Sequence, residues 1–242
     1  MSADNTHGDG GHETPQDFSD RLGLPFSNTL LLRRALTHRS YLNEHPEALE
    51  DNERLEFLGD AILDFLVGAW LYNHFPEMKE GDLTRLRSAL VRTEQLAHFA
   101  KKIDLGSVMQ LGRGEAESGG RDRPALLCAT FEALVGALYM NSGFEAVREF
   151  VEPLLEPAAR QILLAHREQD PKSQLQEWVQ AQGYGPPHYK TIASSGPEHE
   201  KTFEVEVIVN GEPYGRGIGT SKQSAAKEAA RAALKSLGLD SF

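Results

Sequence analysis

The feature that most limits the fold is a change of hydrophobic period late in the chain. From about Asp17 to Ala165 apolar residues recur at helical spacing, and no stretch alternates in the manner of a strand. After the polar segment "HREQDP" the pattern changes. "PKSQLQEWVQAQG" reads as an amphipathic helix ending at Gly183, and "HYKTIAS" as a strand. Phe203, Val205, Val207 and Val209 then alternate with Glu204 and Glu206, and Asn210-Gly211 follows as a hairpin signal. "SKQSAAKEAARAALKSLG" closes the pattern as an Ala-rich helix. The expected architecture is an all-α domain followed by a small α+β domain of order α-β-β-β-α. Its boundaries are a disordered tail over 1–16, the helical domain over 17–166, a connector at 167–171 and the second domain over 172–238.

In the helical part, Ser27 and Asn28 are candidate N-caps for "TLLLRRALTH". "LEDNERLEFLGDAILDFLVGAWLYNHF" reads as one long helix closed by Pro76. "EGDLTRLRSALVRTEQLAHFAKKI" reads as one helix starting after Gly81 with Asp82 as cap, and "LGRGEAESGGRDRP" as a Gly-rich loop. A last helix is expected from about Phe144 to His166, its start complicated by Pro153 and Pro157.

Composition narrows the class. With 40% hydrophobic and 25% charged residues this is an ordinary globular composition. The longest apolar run, "AILDFLVGAWLY", is too short to span a bilayer and contains Asp64, so no membrane partner is expected. Cys128 is the only cysteine, which fits a cytoplasmic setting and an unreactive core thiol. A net charge of −11 argues against a nucleic-acid partner when taken as an average. From residue 170 onward, however, eight Lys and Arg stand against nine acids, so the acidity belongs mainly to the helical part.

That acidity has a pattern. On a helix, Glu53, Glu56, Asp60 and Asp64 fall three or four apart along one stripe, flanked by Leu55, Phe57, Leu58 and Ile62, which call for burial. Two readings stand: a solvated acidic face, or carboxylates at the edge of a buried face that converge on a hard cation such as Mg²⁺. Glu132 favours the second. It is the one charge in "LLCATFEALVGALY", residues 126–139, and an acid on an apolar helix is costly without a positive partner. "LGRGEAESGGR" lacks the Gly-Lys-Ser/Thr ending of a phosphate-binding loop, so no nucleotide cofactor is expected. Its Arg113, Arg121 and Arg123 are either solvated or phosphate contacts, and His38 reads as structural.

"NERLEFLGDAIL" resembles the signature of the ribonuclease III endonuclease domain, with "LTHRSYLNE", "EGDLTRLRSALV", "LGRGE…SGGR" and "FEALVGALY" around it in that family's order. "PKSQLQEWVQ", "GPEHEKTFEVEVIVNG" and "GRGIGTSKQSAAKEAA" resemble a double-stranded-RNA-binding domain. The resemblance implies a cytoplasmic, homodimeric, Mg²⁺-dependent endonuclease, with Mn²⁺ as a substitute. It would cut double-stranded RNA to products with 5′-phosphates and short 3′ overhangs, in processing of rRNA and other structured transcripts. By motif position it implies Glu56, Asp60 and Glu132 as metal ligands, Asp60 and Glu132 as catalytic residues, and Glu53 and Glu80 as supporting or dimer-related acids. In the second domain it implies RNA contacts from Ser173, Gln176, His199, Lys222 and Lys227, reading A-form shape through 2′-hydroxyls and phosphates.

The chain departs from the family twice. Where the family has an Asp three residues before Glu132, this chain has Ala129, and after Lys222 it has Gln223 in place of a second basic residue. The first departure keeps an alternative open: a double-stranded-RNA-binding protein whose catalytic half is impaired.

Overall fold

Helix formation begins earlier than composition suggests. In the computed structural model, which describes residues 13–48, 50–197 and 200–239 (166–169 by backbone alone), α1 spans Pro15–Arg21. Thr14 and Asp17 form a reciprocal capping box, with Pro15 in the first turn where its missing N–H is no loss. Pro15 and Gln16, expected in the tail, are therefore helical.

The chain separates into two units, 1–160 and 161–242. In the first, α2 (Thr29–Ala35) is capped by Asn28, whose Oδ1 accepts from the Leu31 N–H at 3.1 Å. The short α3 (Arg39–Leu42) is capped by His38, whose ring accepts from the Ser40 N–H, so the structural reading of His38 holds. Helix α4 runs Glu53–His74, opening after Asn52 rather than at the start of the acidic run. Leu55, Ile62, Leu63, Leu66, Val67, Trp70 and Leu71 form its buried face. Phe57, expected inside with them, is 81% exposed: it lies on the acidic side of the helix, away from the Leu55–Ile62 stripe.

The single helix expected over 80–103 is two, α5 (Glu80–Leu90) and α6 (Thr93–Lys102), and the first starts at Glu80 with Lys79 as cap. Arg92 is extended between them, although no Gly or Pro marks the break. The short α7 (Leu105–Val108) follows. The Gly-rich segment holds a helical turn, α8 (Arg113–Glu117), and a 3₁₀ turn at Gly120–Asp122. Arg121 donates to the carbonyls of Gly106, Ser107 and Met109 from a part-buried position, and Arg123 pairs with Glu115 at the surface.

The helical assignment of α9 covers Pro124–Gln169, with a break at Gly143 (φ 81°, ψ −177°) where only glycine is unstrained. It continues through Pro153 and Pro157 and through most of the expected connector, leaving Asp170 before the next helix. Its length and apolarity would suffice to cross a bilayer, but more than half of that window is buried within the protein.

Contact between α4 and α9 is at backbone distance. A Cβ on Gly59 would fall 1.8 Å from the Glu132 carbonyl oxygen, and one on Gly136 would fall 2.2 Å from that of Leu55. These two glycines let the helices cross with nothing between them.

The second unit has the expected order. Helix α10 (Pro171–Ala181) is capped by Asp170, strands β1 (His188–Ser195), β2 (Thr202–Val209) and β3 (Glu212–Gly219) pair antiparallel in that order, and α11 (Lys222–Ser236) carries a Ser221/Ser224 capping box. Asn210 and Gly211 both have positive φ, as the two-residue hairpin turn requires. Val205, Val207 and Val209 face Leu175, Val179 and a row of alanines from α11. Gly217 permits that approach: a Cβ there would lie 2.1 Å from the Ala229 nitrogen.

Candidate metal centre and RNA-binding face

The crossing at Gly59 and Gly136 places Glu132 opposite the first turns of α4. One cleft of about 530 Å³ is lined by Glu53, Glu56, Phe57, Asp60 and Glu132. Four of the acids singled out in the sequence thus share one cavity, contributed by two helices distant in the chain. Glu80 does not line it; it begins α5, exposed, and accepts from the Thr84 hydroxyl at 3.0 Å.

These carboxylates are poorly compensated. Burial first, then the charges of Asp60 and Glu56, push Glu132 up to about 7 from its ordinary 4.5. Burial and then Glu53, Asp60 and Asp51 raise Glu56 as well. The hydrogen bond to Glu132 comes from a neutral group, the Cys128 thiol, with Sγ 3.6 Å from Oε1. Arg39 reaches Glu53 at 3.5 Å, but both ends are largely exposed, and such a pair is worth little.

Hard oxygen donors with unrelieved mutual repulsion fit a hard divalent cation. Among the described residues no three acids, histidines or cysteines are already gathered to ligand spacing. Ala129, three residues before Glu132 on α9, has no oxygen to offer and does not line the cleft. The donor set that fits is therefore Glu56, Asp60 and Glu132, with water filling the remaining positions, as Mg²⁺ sites commonly allow.

Sequence spacing alone passes over two parts of this centre. Phe57 forms part of the cleft wall although the apolar pattern assigns it to the core. Gly59 and Gly136 set the approach of the acids. Their signal is present, since a glycine inside a helical pattern usually has a packing reason, but it does not say which helices meet.

In the second unit Ser173 and Gln176 are exposed on α10, two successive positions of one helical face. Lys222 opens α11, exposed at its N-terminus, and Lys227 lies half-buried on the same helix. Lys172 lies with its ammonium 4.6 Å from the centre of the Tyr189 ring. His199 lies outside the described residues.

Comparison with known proteins agrees with this division. A family described as Ribonuclease-III-like matches residues 28–158, which contain every acid of the cleft. The chain belongs to the ribonuclease III family. Residues 171–237 match the Double-stranded RNA binding motif. Ribonuclease 3 1 of Nostoc sp. is 50% identical over 217 residues, covering 88% of this chain and 95% of that protein. Ribonuclease 3 of Roseiflexus sp. is 49% identical over 224 residues, covering 91% and 94%. Among solved structures, the nuclease domain of ribonuclease III from Campylobacter jejuni aligns with a TM-score of 0.54 at 37% identity, over 58% of this chain and 95% of that one. The chain is accordingly an endoribonuclease of the ribonuclease III type.

Proposed function

We propose that this ribonuclease cuts double-stranded RNA in a reaction that needs Mg²⁺, for which Mn²⁺ can substitute. The observation that carries the reading is the convergence of Glu56, Asp60 and Glu132 on one cleft, in a chain whose second unit matches a double-stranded-RNA-binding motif. When bound, the metal supplies a water of lowered pKa and offsets charge developing on the leaving 3′ oxygen. Glu56, Asp60 and Glu132 hold it. Asp60 and Glu132, one from each crossing helix, carry the chemistry. Glu132, which exchanges its proton near neutrality in the metal-free protein, enters the reaction as a carboxylate. Glu53 and Glu80 support from outside this set. The products are duplexes with 5′-phosphates and short 3′ overhangs, and the substrates are rRNA and other structured transcripts in the cytoplasm.

The duplex is captured by Ser173, Gln176, His199, Lys222 and Lys227, with α11 offering its positive N-terminal end to phosphate. The working form is a homodimer. Phe57, Phe65 and Tyr72 on α4 are 81%, 66% and 74% exposed, large apolar side chains of the kind a subunit interface would cover. The Campylobacter jejuni nuclease domain is itself described as having a flexible region involved in dimer formation.

Ala129 favours a second reading, a duplex-binding protein that cleaves slowly or not at all. Incubating the full chain with a long RNA duplex in Mg²⁺ or EDTA separates the two. Metal-dependent short duplexes support the nuclease, and a shifted but intact duplex supports the binder.

A further inference from the structure

Cys128 is buried one helical turn before Glu132 on α9, and its thiol donates to Glu132 Oε1 across 3.6 Å. Among the described residues this is the only hydrogen bond made to that carboxylate. The thiol brings a single weak donor to a carboxylate that offers acceptor oxygens.

Within the three-carboxylate reading above, on which this rests, we infer that Cys128 is a positioning residue: its thiol fixes the rotamer of Glu132 and keeps that carboxylate turned toward Glu56 and Asp60. Ala129 gives the point its weight. With no acid one turn away to share the cation, each remaining carboxylate carries more of the binding, and a freely rotating Glu132 would have to be ordered when the ion enters. Holding one oxygen through the thiol leaves the other available to the ion. No bond is made or broken in this role.

Loss of an outer partner of a metal ligand costs roughly 10- to 100-fold in metal affinity. A thiol is a weak donor, so about tenfold is expected for Cys128→Ala. The experiment measures Mn²⁺ binding directly, by the electron paramagnetic resonance signal of the free ion, on the full chain without RNA. Wild type, Cys128→Ala and Cys128→Ser are compared, each with its thermal melting curve. Cys128→Ala should weaken Mn²⁺ binding about tenfold, and Cys128→Ser should stay close to wild type because the donor is kept. Duplex affinity in EDTA should be the same for all three. Equal Mn²⁺ affinity in wild type and Cys128→Ala overturns the inference. So does equal weakening in the alanine and serine variants, which would assign the effect to packing. Absence of Mn²⁺ binding by the wild type would remove the three-carboxylate reading itself and is seen separately in the same titration.

Discussion

A side-chain carbon on Gly59 would fall 1.8 Å from the backbone carbonyl of Glu132. The two residues belong to helices far apart in sequence, and their contact is what makes one cleft from acids that the chain supplies separately. The acid-lined cleft is thus set by a place where two backbones touch.

Gly59→Ala should therefore damage both stability and activity. Overpacking a core typically costs about 1–3 kcal/mol, and the obstacle here is backbone that cannot rotate away. Urea unfolding should show a loss at or above the upper end of that range, and cleavage should fall further than stability explains because Glu132 is displaced from Glu56 and Asp60. A variant with wild-type midpoint and rate would show that the helices do not meet as described.

Metal-free stability should depend on Glu132. Its pKa is about 7 in the folded protein against an ordinary 4.5. Between those values the native state keeps a proton that the unfolded chain has released. The stabilising contribution is complete below 4.5 and is lost as pH rises through 7. Unfolding midpoints in EDTA should thus decline with rising pH across this window, Glu56 adding to the slope in the same direction, and Glu132→Gln should flatten the decline. Parallel profiles for wild type and variant would contradict the assignment.

The RNA-binding face can be tested by salt. Lys222 opens α11 with an exposed ammonium beside the helix N-terminus. Lys222→Ala should weaken duplex binding by a similar factor for unrelated duplex sequences. It should also lower the slope of log affinity against log salt by about 0.9, the value for one phosphate contact on a B-form DNA duplex. An unchanged slope would place Lys222 off the phosphate backbone.

Ala129 makes its own prediction. Ala129→Asp should cleave faster than wild type when Mg²⁺ is limiting, and the two should converge as Mg²⁺ saturates. A variant no faster at limiting Mg²⁺ would show that position 129 has no part in holding the ion.

What the sequence made legible divides along physical lines. The second unit could be read almost residue by residue because its signals are local: alternation in β2, and two positive-φ residues at Asn210-Gly211. The Thr14-Pro15-Gln16-Asp17 cap is equally local, but the polar, Gly-rich composition before it masks the signal. The break at Val91–Arg92 carries no Gly or Pro, so the apolar period runs through it, and packing on either side decides the turn. The acids were legible as a stripe on one helix and an isolated charge on another. That they meet depends on which helices cross and where, a property of tertiary contact at Gly59 and Gly136. Phe57 fails for a related reason: an apolar residue next to a buried stripe is ambiguous until the neighbouring helices are in place.

Cleavage of a fully paired RNA duplex by wild type and Glu132→Gln, with Mg²⁺ titrated from zero in EDTA, tests the centre most directly. The account predicts no cleavage without the ion, short duplex products with it, and a rate at least about 100-fold lower in the variant, the size of loss seen when one group stabilising transition-state charge is removed. An intact, merely shifted duplex at saturating Mg²⁺, or a Glu132→Gln variant that cuts as fast as wild type, would contradict it.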